Sequence, residues 1–187
     1  MSAATRARIL EAADQVIRER GAGGMSIAEV ARRAGVLKGN VAYYFRTKDA
    51  LLETVARTRR ERLFGTMASS GCTNTAREEI ESFLDMVQGQ AEDLSRCGCP
   101  VGSLCTELGK GEQGALPAAA TSLREIQIWL HERLARQLPA REAGQLAERL
   151  LSQLQGAAVL AQAYRDPDVV RRQVRQCKDE LRGLLSG

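Results

Sequence analysis

Three thiols fall within nine residues, in Cys97-Gly98-Cys99-Pro100-Val101-Gly102-Ser103-Leu104-Cys105. A thiol near a helix N-terminus ionises readily, and the thiolate is the form that attacks electrophiles and oxidants. Cys99 or Cys105 is therefore a candidate redox- or electrophile-sensing group. Read as a metal centre completed by His131, the run lacks the paired two-residue gaps of zinc-binding cysteine sets, so no metal site is expected. A third reading is packing, with cysteine as a small apolar side chain around a glycine-rich turn. His131 is the sole histidine and lies on an amphipathic stretch. With no phosphate-cradling loop and no metal-spaced set, no catalytic residue and no cofactor are assigned.

A different chemistry is offered by residues 26–44. Ser26-Ile27-Ala28-Glu29 has capping-box spacing, in which the serine hydroxyl takes one orphan N–H and the glutamate reaches back to another. Ile27, Val30 and Ala31 then form a buried face, Gly35 stops the helix, and a short helix from about Lys38 to Tyr44 follows. Two short helices, a tight glycine turn and a second helix that offers its N-terminal side chains are the parts of a helix-turn-helix. Helix N-termini also present free N–H groups and partial positive charge, which suits phosphate.

The elements that position these groups are helices. Ile9, Ala12, Ala13, Val16 and Ile17 recur at three-and-four spacing between Thr5 and Arg20, with Gly21-Ala22-Gly23-Gly24 ending that helix. Lys48 opens a fourth helix, with Leu51, Leu52 and Val55 inward and a basic run over 57–62. Residues 65–75 are a candidate boundary or kink. Further helices are expected over about 74–94, as short pieces in the glycine-rich stretch 95–116, over 117–138 and 140–164, and from Asp166-Pro167 onward, where Asp caps and Pro suits the first helical position. No strand-like alternation and no internal repeat occur, so the chain reads as all-α with about nine helices.

Composition agrees. Aromatic residues make up 4% of the 187 and only four prolines occur, while Ala and Leu, both strong helix formers, supply most of the apolar content. Residues 1–62 carry 13 Lys and Arg against 7 Asp and Glu, whereas 63–187 carry 14 against 16. A basic first third suggests that this end meets a polyanion. No apolar run approaches the ~18 residues of a membrane span, so no membrane partner is expected. No apolar signal core follows the N-terminus, and five cysteines, an odd number, fit thiols in a cytoplasmic protein.

The stretch from Ile27-Ala28-Glu29-Val30-Ala31-Arg32-Arg33-Ala34-Gly35 through Val36-Leu37-Lys38-Gly39-Asn40-Val41-Ala42-Tyr43-Tyr44-Phe45-Arg46-Thr47-Lys48 to Leu52 resembles the DNA-binding domain of TetR-family regulators, over roughly residues 5–55. The resemblance implies that Lys38 and Gly39 begin a recognition helix and approach base edges. It implies that Asn40 reaches a base or phosphate, that Tyr43 and Tyr44 contact the phosphate backbone, that Ser26 caps its helix and touches phosphate, and that Lys48 binds phosphate. Residue chemistry agrees, since Lys suits guanine O6/N7, Asn suits adenine, and Gly admits close approach. Ala42 stands where the family usually has tyrosine, and Leu37 where a small hydroxyl residue is common, which removes two expected contacts.

The resemblance further implies a helix-turn-helix DNA-binding domain at 1–50 and a helical ligand-binding and dimerisation domain at 51–187. Pairing is expected on the last two long helices, through Leu150, Leu154, Ala157 and Ala161 with Val170, Val174 and Cys177, or that stripe is intramolecular core. Phe83, Met86, Cys99, Leu104, Cys105, Leu123, Trp129 and Tyr164 are candidate walls of an inducer pocket, or plain core. The function expected is a ligand-responsive repressor that binds a palindromic double-stranded DNA operator as a homodimer and is released by a small molecule. The alternative is a thiol-sensing regulator using Cys97, Cys99 or Cys105. A DNA-binding module without an inducer and a cysteine enzyme are the other readings.

Overall fold

The computed structural model describes residues 2–69, 75–109 and 116–185. Residues 70–74 of the candidate boundary at 65–75, Cys72 among them, lie outside the described residues. The described residues form ten helices and no strand: α1 (Ala3–Gly24), α2 (Ile27–Ala34), α3 (Lys38–Tyr44), α4 (Lys48–Ser69), α5 (Ala76–Gly89), α6 (Ala91–Cys97), α7 (Gly102–Leu108), α8 (Leu116–Leu134), α9 (Ala140–Tyr164) and α10 (Asp168–Leu184). None of them is long and apolar enough to cross a membrane.

The chain folds into two compact units, Met1–Glu61 with Pro100–Ser122, and Arg62–Cys99 with Leu123–Gly187. In the first, the stripe of α1 expected from its periodicity is buried, with Ile9, Ala13 and Val16 wholly enclosed. Val30 of α2, Val41 of α3, Leu51 and Val55 of α4, and Leu104 and Leu108 of α7 complete that core. Each large apolar side chain so buried contributes about 1.5–3 kcal/mol relative to exposure. Gly21 lies at φ 74°, inside the span of α1, in a region that costs L-residues strain. The regular helix therefore ends there, and residues 22–24 add one more turn.

The core of the second unit gathers Ile80 and Leu84 of α5, Leu94 of α6, Ile126, Leu130 and Leu134 of α8, Leu146 and Leu150 of α9, and Val174 and Leu181 of α10. The helix expected over 74–94 is two helices, broken at Gln90, where the backbone leaves the helical region at φ −94°, ψ 7°. Its start holds a full capping box, with Thr75 Oγ1 accepting from Glu78 N and the Glu78 carboxylate accepting from Thr75 N. The helix expected over 117–138 stops at Leu134, and turns carry the chain to Pro139. Proline disfavours helical backbone in the residue before it. Asp166 Oδ1 accepts from Asp168 N at 2.8 Å, so Asp166 does cap the last helix, with Pro167 at its N-cap.

Candidate nucleic-acid interface

The helix-turn-helix is assembled from α2 and α3. Ser26, in extended backbone, caps α2, and its Oγ accepts from Glu29 N at 3.2 Å. The return half of the expected capping box does not form, because Glu29 is drawn elsewhere. Its carboxylate accepts from Arg32 Nε at 2.9 Å and NH2 at 2.8 Å, and from Arg33 Nε at 2.9 Å. Charge-assisted bonds of this kind outcompete a neutral amide. Arg32 first, then Arg33, depress the Glu29 carboxyl to about 2. Arg33 also grips Glu19 of α1 at 2.6 Å, which ties α2 to α1.

Gly35 ends α2 in the left-handed region at φ 62°, ψ 42°, and its N–H donates to Ala31 O and Arg32 O. Arg8 of α1 donates to the carbonyls of Ala34 and Gly35, and so fixes the turn from behind. With Val41 wholly buried, the opposite side of α3 faces outward. On it Lys38, Gly39, Ala42 and Tyr43 are exposed, with Tyr43 at 70%. Leu37 is the N-cap of α3, makes no side-chain cap bond and is 77% exposed. Asn40 is half-buried, and its N–H donates to Leu37 O.

Tyr44 turns a different way from Tyr43. Its hydroxyl donates to Ser2 O at 3.0 Å, and the two rings meet edge to face at 5.2 Å. Phe45 is buried, with the Arg6 guanidinium 5.5 Å above its ring. Lys48 opens α4, and its ammonium donates to Gly23 O at 3.4 Å. Ser26, Lys38, Gly39 and Tyr43 are thus on the surface, whereas Asn40, Tyr44 and Lys48 are half-covered.

The other expected residues are distributed differently. Leu150, Leu154, Ala157, Ala161, Val170, Val174 and Cys177 are each no more than 7% exposed, and all but Ala157 belong to the core cluster of the second unit. Within one chain they are core side chains of α9 and α10. The exposed large apolar side chains of those helices are Val159, Leu160 and Tyr164 of α9 and Leu184 of α10. Burial pushes the Cys177 thiol up, as loss of solvent disfavours a thiolate.

Among the candidate pocket residues, Phe83, Met86, Cys99, Leu123 and Trp129 lie in or against the core of the second unit, with the Phe83 and Trp129 rings 5.7 Å apart. Arg133 stacks over Trp129 at 4.2 Å. Leu104 is buried in the core of the first unit and Cys105 packs against it. Tyr164 is exposed. Cys97, Cys99, Cys105 and Cys177 are thiols, not disulfide sulfurs. Among the described residues no group of three or more His, Cys, Asp and Glu is placed to hold a metal ion.

Three polar residues escape a reading of the sequence alone. Arg59, inside the basic run of α4, is 9% exposed and pairs with Asp14. Glu107 of α7 accepts from Ala22 N at 2.6 Å and Gly23 N at 3.4 Å. The partners are 45 and 85 residues apart in sequence, beyond any local spacing rule. Only Gly21 gave a signal, as a break in an otherwise regular stripe.

Residues 9–55 match the family described as bacterial regulatory proteins, tetR family. Residues 76–176 match the family described as transcriptional regulator LmrA/YxaF-like, C-terminal domain. The chain is 29% identical over 189 residues to an uncharacterised HTH-type transcriptional regulator of Mycobacterium tuberculosis, covering 91% of this chain and 92% of that protein. It is 40% identical over 57 residues to the HTH-type transcriptional regulator BetI of Escherichia coli, covering 30% of this chain and 29% of that protein. A TetR transcriptional regulator from Legionella pneumophila shares the fold, with a TM-score of 0.85, 21% identity, and coverage of 96% of this chain and 97% of that one.

Proposed function

Because the chain belongs to the TetR family of transcriptional regulators, we propose that it is a ligand-responsive repressor that binds a palindromic operator as a homodimer and is released by a small molecule. The observation that carries the DNA-reading part is the outward face of α3, which offers Lys38, Gly39 and Tyr43 to a duplex while Val41 anchors the helix from behind. An ammonium beside a glycine suits a guanine edge approached closely. Ser26, Asn40, Tyr44 and Lys48 take the flanking base and phosphate contacts. Residues 1–50 read DNA, 51–187 bind the inducer and pair, and the protein works in the cytoplasm.

Pairing uses α9 and α10, the helices that carry the exposed large apolar side chains Val159, Leu160, Tyr164 and Leu184, since exposed apolar surface marks an interaction site. The inducer site is built from Phe83, Met86, Cys99, Leu123 and Trp129 in the second unit. The test is enrichment of duplexes from a random pool by the purified protein. Recovery of two-fold related half-sites about 34–36 Å apart, one turn of DNA, is expected. Enrichment of no sequence contradicts the reading.

A thiol-sensing form of the same regulator has one observation in its favour. Cys97 follows Arg96 directly at the end of α6, and a sulfur next to a cation is the setting in which thiols react. Changing Cys97, Cys99 and Cys105 to Ser tests it. Electrophile-triggered release of DNA that survives in the triple variant rules it out.

A further inference from the structure

The turn between α1 and α2 is held from two sides. On one side, Glu107 of α7 places Oε2 against the amides of Ala22 and Gly23, at 2.6 and 3.4 Å. On the other, Gly23 O accepts from the Lys48 ammonium at 3.4 Å. Gly23 thus has Glu107 on its N–H and Lys48 on its carbonyl. Gly21 makes the arrangement possible: its φ is 74°, and a Cβ there would lie 2.9 Å from Glu107 Cδ. A side chain there would displace the carboxylate, and the backbone conformation itself favours glycine.

We propose that Glu107 is a positioning residue of the DNA interface, which holds Lys48 in place through the α1–α2 turn. This rests on the DNA-reading function proposed above. A carboxylate accepting amide N–H groups makes a charge-assisted bond, stronger than one between neutral groups. It removes the freedom of a glycine-rich turn that would otherwise be costly to order on binding. The Gly23 carbonyl then keeps a long, flexible ammonium beside the N-terminus of α2, where Ser26 also stands, before any phosphate arrives.

The place of Glu107 in the chain gives this tether a further use. Residues 100–122 belong to the first unit, but the chain on either side of them belongs to the second, and the whole of 100–122 lies inside the segment matched to the C-terminal family domain. A piece of that domain therefore packs among the DNA-reading helices and bears directly on the turn that steadies Lys48. A shift of α7 of about the length by which a hydrogen bond fails, roughly 0.5–1 Å beyond its normal range, loosens Lys48 without touching α3.

The test uses the full-length protein and a duplex that it enriches from a random pool. Affinity is measured over a range of salt concentrations for the wild type, Glu107→Ala, Lys48→Met and the double variant. One lost phosphate contact per protomer, two in the homodimer, weakens binding roughly a hundredfold at 0.1 M salt and lowers the slope of log K against log salt by about two. Glu107→Ala is expected to do both, and to do nothing further when Lys48 is already Met. Glu107→Gln, which keeps an acceptor oxygen, should recover much of the affinity, and Gly21→Ala should reproduce the loss. Amide exchange at Ala22 and Gly23, read without DNA, should quicken in Glu107→Ala. Unchanged affinity in Glu107→Ala, or losses that simply add in the double variant, overturn the inference alone. A wild type that retains no duplex overturns the DNA reading and the inference with it.

Discussion

Arg59 donates to the Asp14 carboxylate at 2.5 Å, with both side chains largely buried, at 8% and 15% exposure. The same guanidinium also donates to Pro100 O, so one side chain of α4 joins α1 and the turn before α7. Removing one partner of a buried pair leaves the other charge uncompensated and costs about 3–5 kcal/mol. Arg59→Met is expected to lower the denaturant midpoint accordingly. Asp14→Leu added to Arg59→Met should restore much of it, because a paired apolar replacement leaves no orphan charge. Equal midpoints for the wild type and Arg59→Met would contradict the pairing.

The Glu29 carboxyl, held down to about 2 from an ordinary value of 4.5 by Arg32 and then Arg33, makes the helix-turn-helix sensitive to acid. A depressed folded value means that the stabilisation is complete above the unfolded value and is lost as pH falls toward the folded one. The window is therefore about pH 4.5 down to about 2. Urea midpoints measured across that range should fall less steeply for Glu29→Gln than for the wild type. Parallel curves would show that Glu29 has no such role.

Much of this arrangement was legible in the sequence, and the reasons are local. The stripe of α1, the serine cap of α2, the glycine stop at Gly35 and the span of α9 follow from periods and capping rules acting over a few residues. The seam between α9 and α10 was also visible, but one chain cannot tell an internal seam from an external one by spacing alone. Ala157 and Ala161 are small enough for either. Glu29 shows a second limit. Capping-box spacing was present, but two arginines at three and four residues offered the carboxylate stronger partners than an amide. Arg59 and Glu107 were invisible because their partners lie far away in sequence.

On α9, Val159 and Leu160 are 65% and 44% exposed, and they are the groups on which pairing is proposed to rest. Val159→Glu with Leu160→Glu places two like charges on that face, which opposes a self-complementary contact. Sedimentation should shift from dimer to monomer, with helicity unchanged because neither side chain serves the core. A dimer that survives this change would place the pairing surface elsewhere.

The exposed face of α3 is proposed to read DNA. This is tested most directly by measuring affinity for an enriched duplex with Lys38→Ala plus Tyr43→Ala, alongside a scrambled duplex of equal length. Loss of a base contact costs about 1–3 kcal/mol and relaxes the preference for sequence, and loss of a phosphate contact weakens binding to both duplexes alike. The variant is expected to bind the enriched duplex at least tenfold more weakly and to discriminate less between the two. Wild-type affinity and discrimination in the variant would contradict it.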